Sequence, residues 1–177
     1  LVMRLYDGSV IPANRRIGAA GIEERLERLY RPYHEALAGL AARRDDTAIL
    51  AIHSFTPCLR GRPPRPWHVG VLHSHLDSRL SLPLLAALAG ESDICTGDNE
   101  PYSGHLPGDS IDRHALATGR HNSLIELRNV LIADADRWQR IVPHRAELPG
   151  LAHVLVCRVG ESGTAPGMVG RCTSASP

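Results

Sequence analysis

The chain reads as an α/β layer fold built on a mixed, largely parallel sheet, because short apolar runs of strand length alternate with amphipathic helical stretches. The apolar runs fall at 47–52, 69–72, 94–96 and 123–127. Helix patterns with their own start and stop residues separate them. Polar clusters sit where the apolar runs end, the place at which open α/β sheets collect ligands. A length of 177 residues is enough for one domain with a sizeable core.

Taken in order, residues 1–21 are turn-rich, with Asp7-Gly8 and Ile11-Pro12 as breakers. From Ile22 the positions Ile22, Leu26, Leu29, Tyr30, Tyr33, Leu37 and Leu40 recur at three and four residues, which predicts an amphipathic helix to about Ala42. Pro32 lies inside it and predicts a kink or break. Thr47 to Ile52 follows as a buried strand that His53 ends. After the Pro/Arg-rich turn at 60–66, Val69 to Leu72 is the second strand. Ser81 is expected to cap a helix with Pro83 in its first turn and Gly90 past its end. Ile94 to Thr96 is a brief strand leading into a loop at Asp98. Ser110 to Thr118 is a helix with Ser110 as its cap and Gly119 as its stop, Ser123 to Leu127 a strand, and Asp134 to Val142 a last helix. The domain is expected to span 1–160, with a disordered Gly/Ser/Thr/Pro tail at 161–177.

Composition narrows the function classes. Acids and bases nearly cancel, at a net charge of +1, so there is no broad electrostatic footprint for nucleic acid or for an anionic membrane. All basic residues are arginine, read first as compositional bias and second as a preference for bidentate anion contacts. Cys58, Cys95, Cys157 and Cys172 are scattered, which argues against a zinc knuckle or a disulfide scaffold and for a reducing cytoplasm. No apolar stretch approaches the roughly 20 residues that span a bilayer. The expected partner is a small molecule.

Three clusters carry chemistry. The run 96–104, Thr-Gly-Asp-Asn-Glu-Pro-Tyr-Ser-Gly, packs two acids, an amide and a phenol into one loop. His53 follows an apolar strand and is suited to present a neutral imidazole to zinc. Glu126 interrupts Leu124, Ile125 and Leu127, where a carboxylate in a partly apolar setting suits a general base. Each also has a structural reading: His53 as a hydrogen-bonded structural histidine, Glu126 on a solvent face or paired with Arg128, and the loop as a turn with Asn99 and Gly104 supplying positive φ. A competing metal motif is His73-Ser74-His75-Leu76-Asp77, an H-x-H-x-D pattern that is incomplete because Ser78 stands where a further histidine is needed. The remaining histidines read as solvated or structural, His68 beside Trp67 being the most open.

The ordered set Tyr30-Arg31-Pro32-Tyr33-His34, Ile52-His53-Ser54-Phe55-Thr56-Pro57, Arg65-Pro66-Trp67-His68-Val69-Gly70-Val71-Leu72, Gly97-Asp98-Asn99-Glu100-Pro101-Tyr102-Ser103-Gly104 and Ile125-Glu126-Leu127-Arg128-Asn129 resembles the N-formylglutamate amidohydrolase family, from about Ser9 to Ile132. The resemblance implies a three-layer α/β/α, zinc carboxypeptidase-like fold and hydrolysis of an N-formyl or N-acyl amino acid at a zinc-bound water. It implies that His53 is a zinc ligand, that Glu126 is the general base and then acid, and that Arg128 with Asp98, Asn99, Glu100 and Tyr102 lines the substrate pocket. An acidic substrate calls for guanidinium donors.

The match departs from the family in three respects. A family N-terminal section with further metal ligands has no counterpart, so the chain is expected to be N-terminally truncated, with low turnover alone and an uncovered sheet edge. Val130 stands where the family has an acid, and His73-Ser74-His75 replaces an aromatic and polar stretch. Two further readings are a degenerate binding domain of this fold and a metallohydrolase centred on His73, His75 and Asp77.

Overall fold

The computed structural model describes residues 2–5, 8–133 and the backbone of 154–158. The helix expected at 134–142 and the tail from 161 lie outside the described residues.

Among the described residues five strands form one sheet, β1 (Ala48–Phe55), β2 (Val69–Leu72), β3 (Thr96–Asp98), β4 (Asn122–Arg128) and β5 (Val154–Arg158), in the spatial order β3-β2-β4-β1-β5. β1 pairs in parallel with both β4 and β5, and β2 with β3. Only the β2–β4 junction is antiparallel. The sheet is therefore mixed and largely parallel, as expected. β5 is a strand that the sequence reading leaves out.

Side-chain alternation along the strands sorts the core into two layers. On one face Ile49, Ala51, Leu72 and Leu124 pack with Ala41 of α2 (Arg31–Ala41) and with Ile111 and Ala115 at α4 (Ser110–His114). On the other, Val69, Val71 and Ile125 pack under Leu84, Leu85 and Leu88 of α3 (Ser81–Ala89). This is the three-layer α/β/α arrangement. His34 of α2 and His114 of α4 join their helices through an Nδ1 to Nε2 contact of 2.7 Å, and burial lowers the pKa of both.

The first long helix is bulged rather than broken. Between α1 (Ala19–Arg25) and α2, residues Leu26–Tyr30 form a π turn in which the Arg31 N–H reaches back to the Leu26 carbonyl. Pro32 has no N–H to give and its ring conflicts with a carbonyl one turn earlier, so the wider turn relieves the conflict at the start of α2. The extra residue rotates the later turns about the helix axis. α2 buries His34, Leu37 and Ala41, whereas Leu29, expected on the buried stripe, is 68% exposed.

Two expected caps are reassigned. Ser81 is already helical, and its hydroxyl donates to Ser123 Oγ at 2.8 Å in the buried layer between α3 and β4. Asp109, not Ser110, caps α4 by accepting from the Asp112 N–H at 2.7 Å. α4 stops at His114, a 3-10 turn covers Leu116–Thr118, and Gly119 ends it at φ 67° as expected. Two strands also shift. β1 runs on to Phe55 because β4 pairs with it that far, so His53 lies inside the strand. β3 begins at Thr96, opposite Val69, and takes in Asp98.

Candidate active site

β1 and β4 run side by side in parallel with His53 opposite Glu126 and Phe55 opposite Arg128. Partners in this register share a face, here the one under α2 and α4. His53 Nδ1 stands 3.8 Å from Glu126 Oε1, with the imidazole 33% and the carboxylate 7% exposed. The separation is too long for a direct hydrogen bond and short enough for both groups to act on one bridging atom. Asp109, at the start of α4 and within electrostatic reach of His53, has its pKa raised by burial.

On the other side of Glu126 the antiparallel strand places Gly70. A Cβ there would stand 2.1 Å from the Glu100 carbonyl oxygen and 3.4 Å from Glu126 Cβ, so only glycine lets the 99–104 loop lie on the sheet beside the carboxylate. Gly97 leaves room in the same way, since a Cβ would come within 2.8 Å of both Trp67 and Glu100. The end of the cleft is cationic. Arg128 is buried, and its Nη1 donates to the Arg65 carbonyl at 3.4 Å. The Arg65 guanidinium lies 4.8 Å over the Tyr102 ring and 5.6 Å over Phe55, and its Nη1 donates to Thr56 O and Tyr102 Oη, both at 3.1 Å. His68 proves to be a structural link, its Nδ1 accepting from the Cys95 N–H at 3.0 Å, and burial and the nearby Arg128 charge lower its pKa.

The loop residues named from the sequence divide into two groups. Tyr102 and the Glu100 backbone reach the cleft. Asp98 pairs with Val71, which stands opposite Ile125, so it is one register position from Glu126 but on the α3 face of the sheet, and its carboxylate, 61% exposed, contacts His73 Nε2 at 2.8 Å. Asn99, at φ 51°, holds the loop shut by accepting from the His73 and Gly104 N–H groups at 2.9 and 3.0 Å.

The His73–Asp77 run follows directly on β2, and its side chains do not converge. His73 is engaged with Asp98, and His75 is exposed and packs on His105 with ring centroids 5.0 Å apart. Asp77 is held by Arg79 at 2.8 Å and by Asn122 Nδ2 at 3.2 Å, and the Arg79 bonds depress its pKa. The spacing is that of a metal motif, but the chain turns after β2 and spends each group on a different neighbour. Among the described residues no three His, Cys, Asp or Glu side chains stand close enough to hold a metal. Catalytic zinc needs three protein ligands, so the His53–Glu126 pair by itself does not fit a complete zinc centre.

Similarity to known proteins follows the same residues. A profile of the N-formylglutamate amidohydrolase family matches residues 1–133. The chain belongs to the N-formylglutamate amidohydrolase family. Among solved structures, the gene product Atu2144 from Agrobacterium tumefaciens superposes with a TM-score of 0.68 at 33% identity, over 79% of this chain and 56% of that one. The N-formylglutamate amidohydrolase from Ralstonia eutropha JMP134 superposes with a TM-score of 0.52 at 26% identity, over 74% of this chain and 51% of that one. This chain thus spans little more than half the length of either. No curated protein matches. No helix among the described residues is long and apolar enough to cross a membrane.

The reading from sequence passed over Arg65, Gly70 and Asp109. The signal for the first two was their place in the motif Arg65-Pro66-Trp67-His68-Val69-Gly70. Asp109 has no local signal beyond its position as a helix cap.

Proposed function

We propose that this chain carries the acid–base part of an amidohydrolase site acting on N-formyl or N-acyl amino acids such as N-formylglutamate. The observation that carries the reading is the in-register His53–Glu126 pair on one face of the sheet, 3.8 Å apart, beside a cationic cleft end. Glu126 takes a proton from water as the water oxygen adds to the formyl carbon. It then delivers that proton to the amide nitrogen as the C–N bond breaks, leaving formate and the free amino acid. Arg128, Glu100 and Tyr102 line the pocket, while Asp98 and Asn99 shape it from behind. Zinc is the proposed metal with His53 as one ligand. Because the described residues supply no full ligand set, no step above runs through it.

The test is binding of N-formyl-L-glutamate by titration calorimetry, with formate release measured in added zinc for the native chain and for Glu126→Gln. Loss of a general base should lower turnover by about 10²–10⁴-fold while binding persists. Turnover by the native chain that Glu126→Gln retains in full, or no binding of any N-acyl amino acid, would sink the reading.

A further inference from the structure

The strongest unassigned feature of the cleft is Arg65, and we infer that it anchors the side-chain carboxylate of an acidic N-acyl amino acid and so sets selectivity for the acidic substrate. The inference rests on the hydrolase reading for the position of the scissile bond, and adds to it the residue that reads the far end of the substrate.

Three observations support it. The guanidinium is held against two aromatic rings, Tyr102 at 4.8 Å and Phe55 at 5.6 Å. Its backbone is fixed as well, the Arg65 N–H donating to the Pro57 carbonyl at 2.8 Å and the Arg65 carbonyl accepting from Arg128. A planar cation held this way loses little freedom when an anion docks. Second, its two protein bonds both come from Nη1, to Thr56 O and Tyr102 Oη. Arginine has five N–H donors, so the edge formed by Nε and Nη2 remains for a bidentate carboxylate. Among the described residues no carboxylate lies within ion-pair distance of Arg65, whereas Arg28, Arg31, Arg44 and Arg79 each have one.

The third observation is distance. Phe55, beneath the guanidinium, lies two residues beyond His53 on the same face, about 7 Å along the strand at the usual rise per residue. In extended N-formylglutamate the side-chain carboxyl carbon is five bonds from the formyl carbon, about 6 Å away, while the α-carboxyl carbon is three bonds away, about 4 Å. With a formyl group over the His53–Glu126 pair, the farther carboxylate rather than the α-carboxylate matches the strand spacing to Phe55, over whose ring the Arg65 guanidinium lies.

The experiment compares N-formyl-L-glutamate with N-formyl-L-glutamine, nearly the same shape without the side-chain charge. Binding of each is measured by calorimetry on the full 177-residue chain, for the native protein, Arg65→Met and Arg65→Lys, with thermal unfolding to confirm the fold. The native chain should prefer the glutamate ligand by about tenfold or more, the scale of one charge-assisted contact. Arg65→Met should abolish that preference through weaker glutamate binding while glutamine binding changes little, and Arg65→Lys should restore part of it. Equal weakening of both ligands would show that Arg65 merely props the Tyr102 loop, and would overturn the inference. So would a native chain that does not discriminate or binds neither ligand. If formate release depends on Glu126 but the ligand ratio is indifferent to Arg65, this inference fails alone. If Arg65→Met loses the acidic ligand selectively while Glu126→Gln changes nothing, the hydrolase reading fails and Arg65 remains a carboxylate anchor.

Discussion

The two ends of this sheet hold similar residue types arranged for different ends. Toward the C-terminal ends of β1 and β4, a histidine and a carboxylate face one another at 3.8 Å across two parallel strands, with a cationic cleft end beyond them. Where β2 and β3 finish, histidines and acids are denser in sequence, yet their contacts are closed bonds: His73 to Asp98 at 2.8 Å, Ser74 to His105 at 2.9 Å and Asp77 to Arg79 at 2.8 Å. Ligand-type residues crowded into a few positions thus make a scaffold here. Two residues far apart in the chain, brought into register by apolar strands, make the candidate site.

Disturbing the cleft end should have the larger effect. Gly70→Ala would place a methyl group 2.1 Å from the Glu100 carbonyl oxygen, a backbone atom that cannot step aside without moving the loop. Overpacking of this kind should cost about 3 kcal/mol or more and weaken N-formyl-L-glutamate binding in the same variant. Chemical denaturation and calorimetry measure the two. Native-like values for both would mean that the loop is free to lift off the sheet.

At the other end the expected effect is smaller and confined to stability. Asp77 accepts from the Arg79 N–H, from its guanidinium and from Asn122. Asp77→Asn should cost about 1–2 kcal/mol, the range for hydrogen bonds to a charged group, and leave formate release unchanged. The pH dependence sharpens this. The Arg79 bonds hold the folded pKa of Asp77 below its ordinary 3.8, so its contribution is present above that value and fades as pH falls through the lower folded one. Asp77→Asn should therefore flatten the acid limb of the stability profile. An unchanged limb, or lost turnover at neutral pH, would place Asp77 in the reacting site instead.

The sequence revealed the layers better than the site. The apolar runs at Val69–Leu72 and around Leu124 mark their strands because burial on both faces requires near-continuous apolar residues. β5 carries the same signal, the apolar run Val154-Leu155-Val156-Cys157, so it was legible in the sequence although the reading leaves it out. The buried face of α2 was misjudged since the π turn before Pro32 shifts its phase. His53 and Glu126 were both legible as polar interruptions of apolar runs, but that they face each other depends on strand register. Asp98 was expected at the same end of the sheet. The register sets it level with Ile125, one position from Glu126, and alternation turns it to the α3 face, which no local pattern announces.

The most direct test of this contrast is formate release from N-formyl-L-glutamate by His53→Ala beside a His73→Ala, His75→Ala double variant, each confirmed as folded by thermal unfolding. Placement of the chemistry at the β1–β4 end predicts that the single change removes turnover while the double variant keeps most of it. Turnover lost only in the double variant would contradict that placement and return the reacting centre to the His73–Asp77 run.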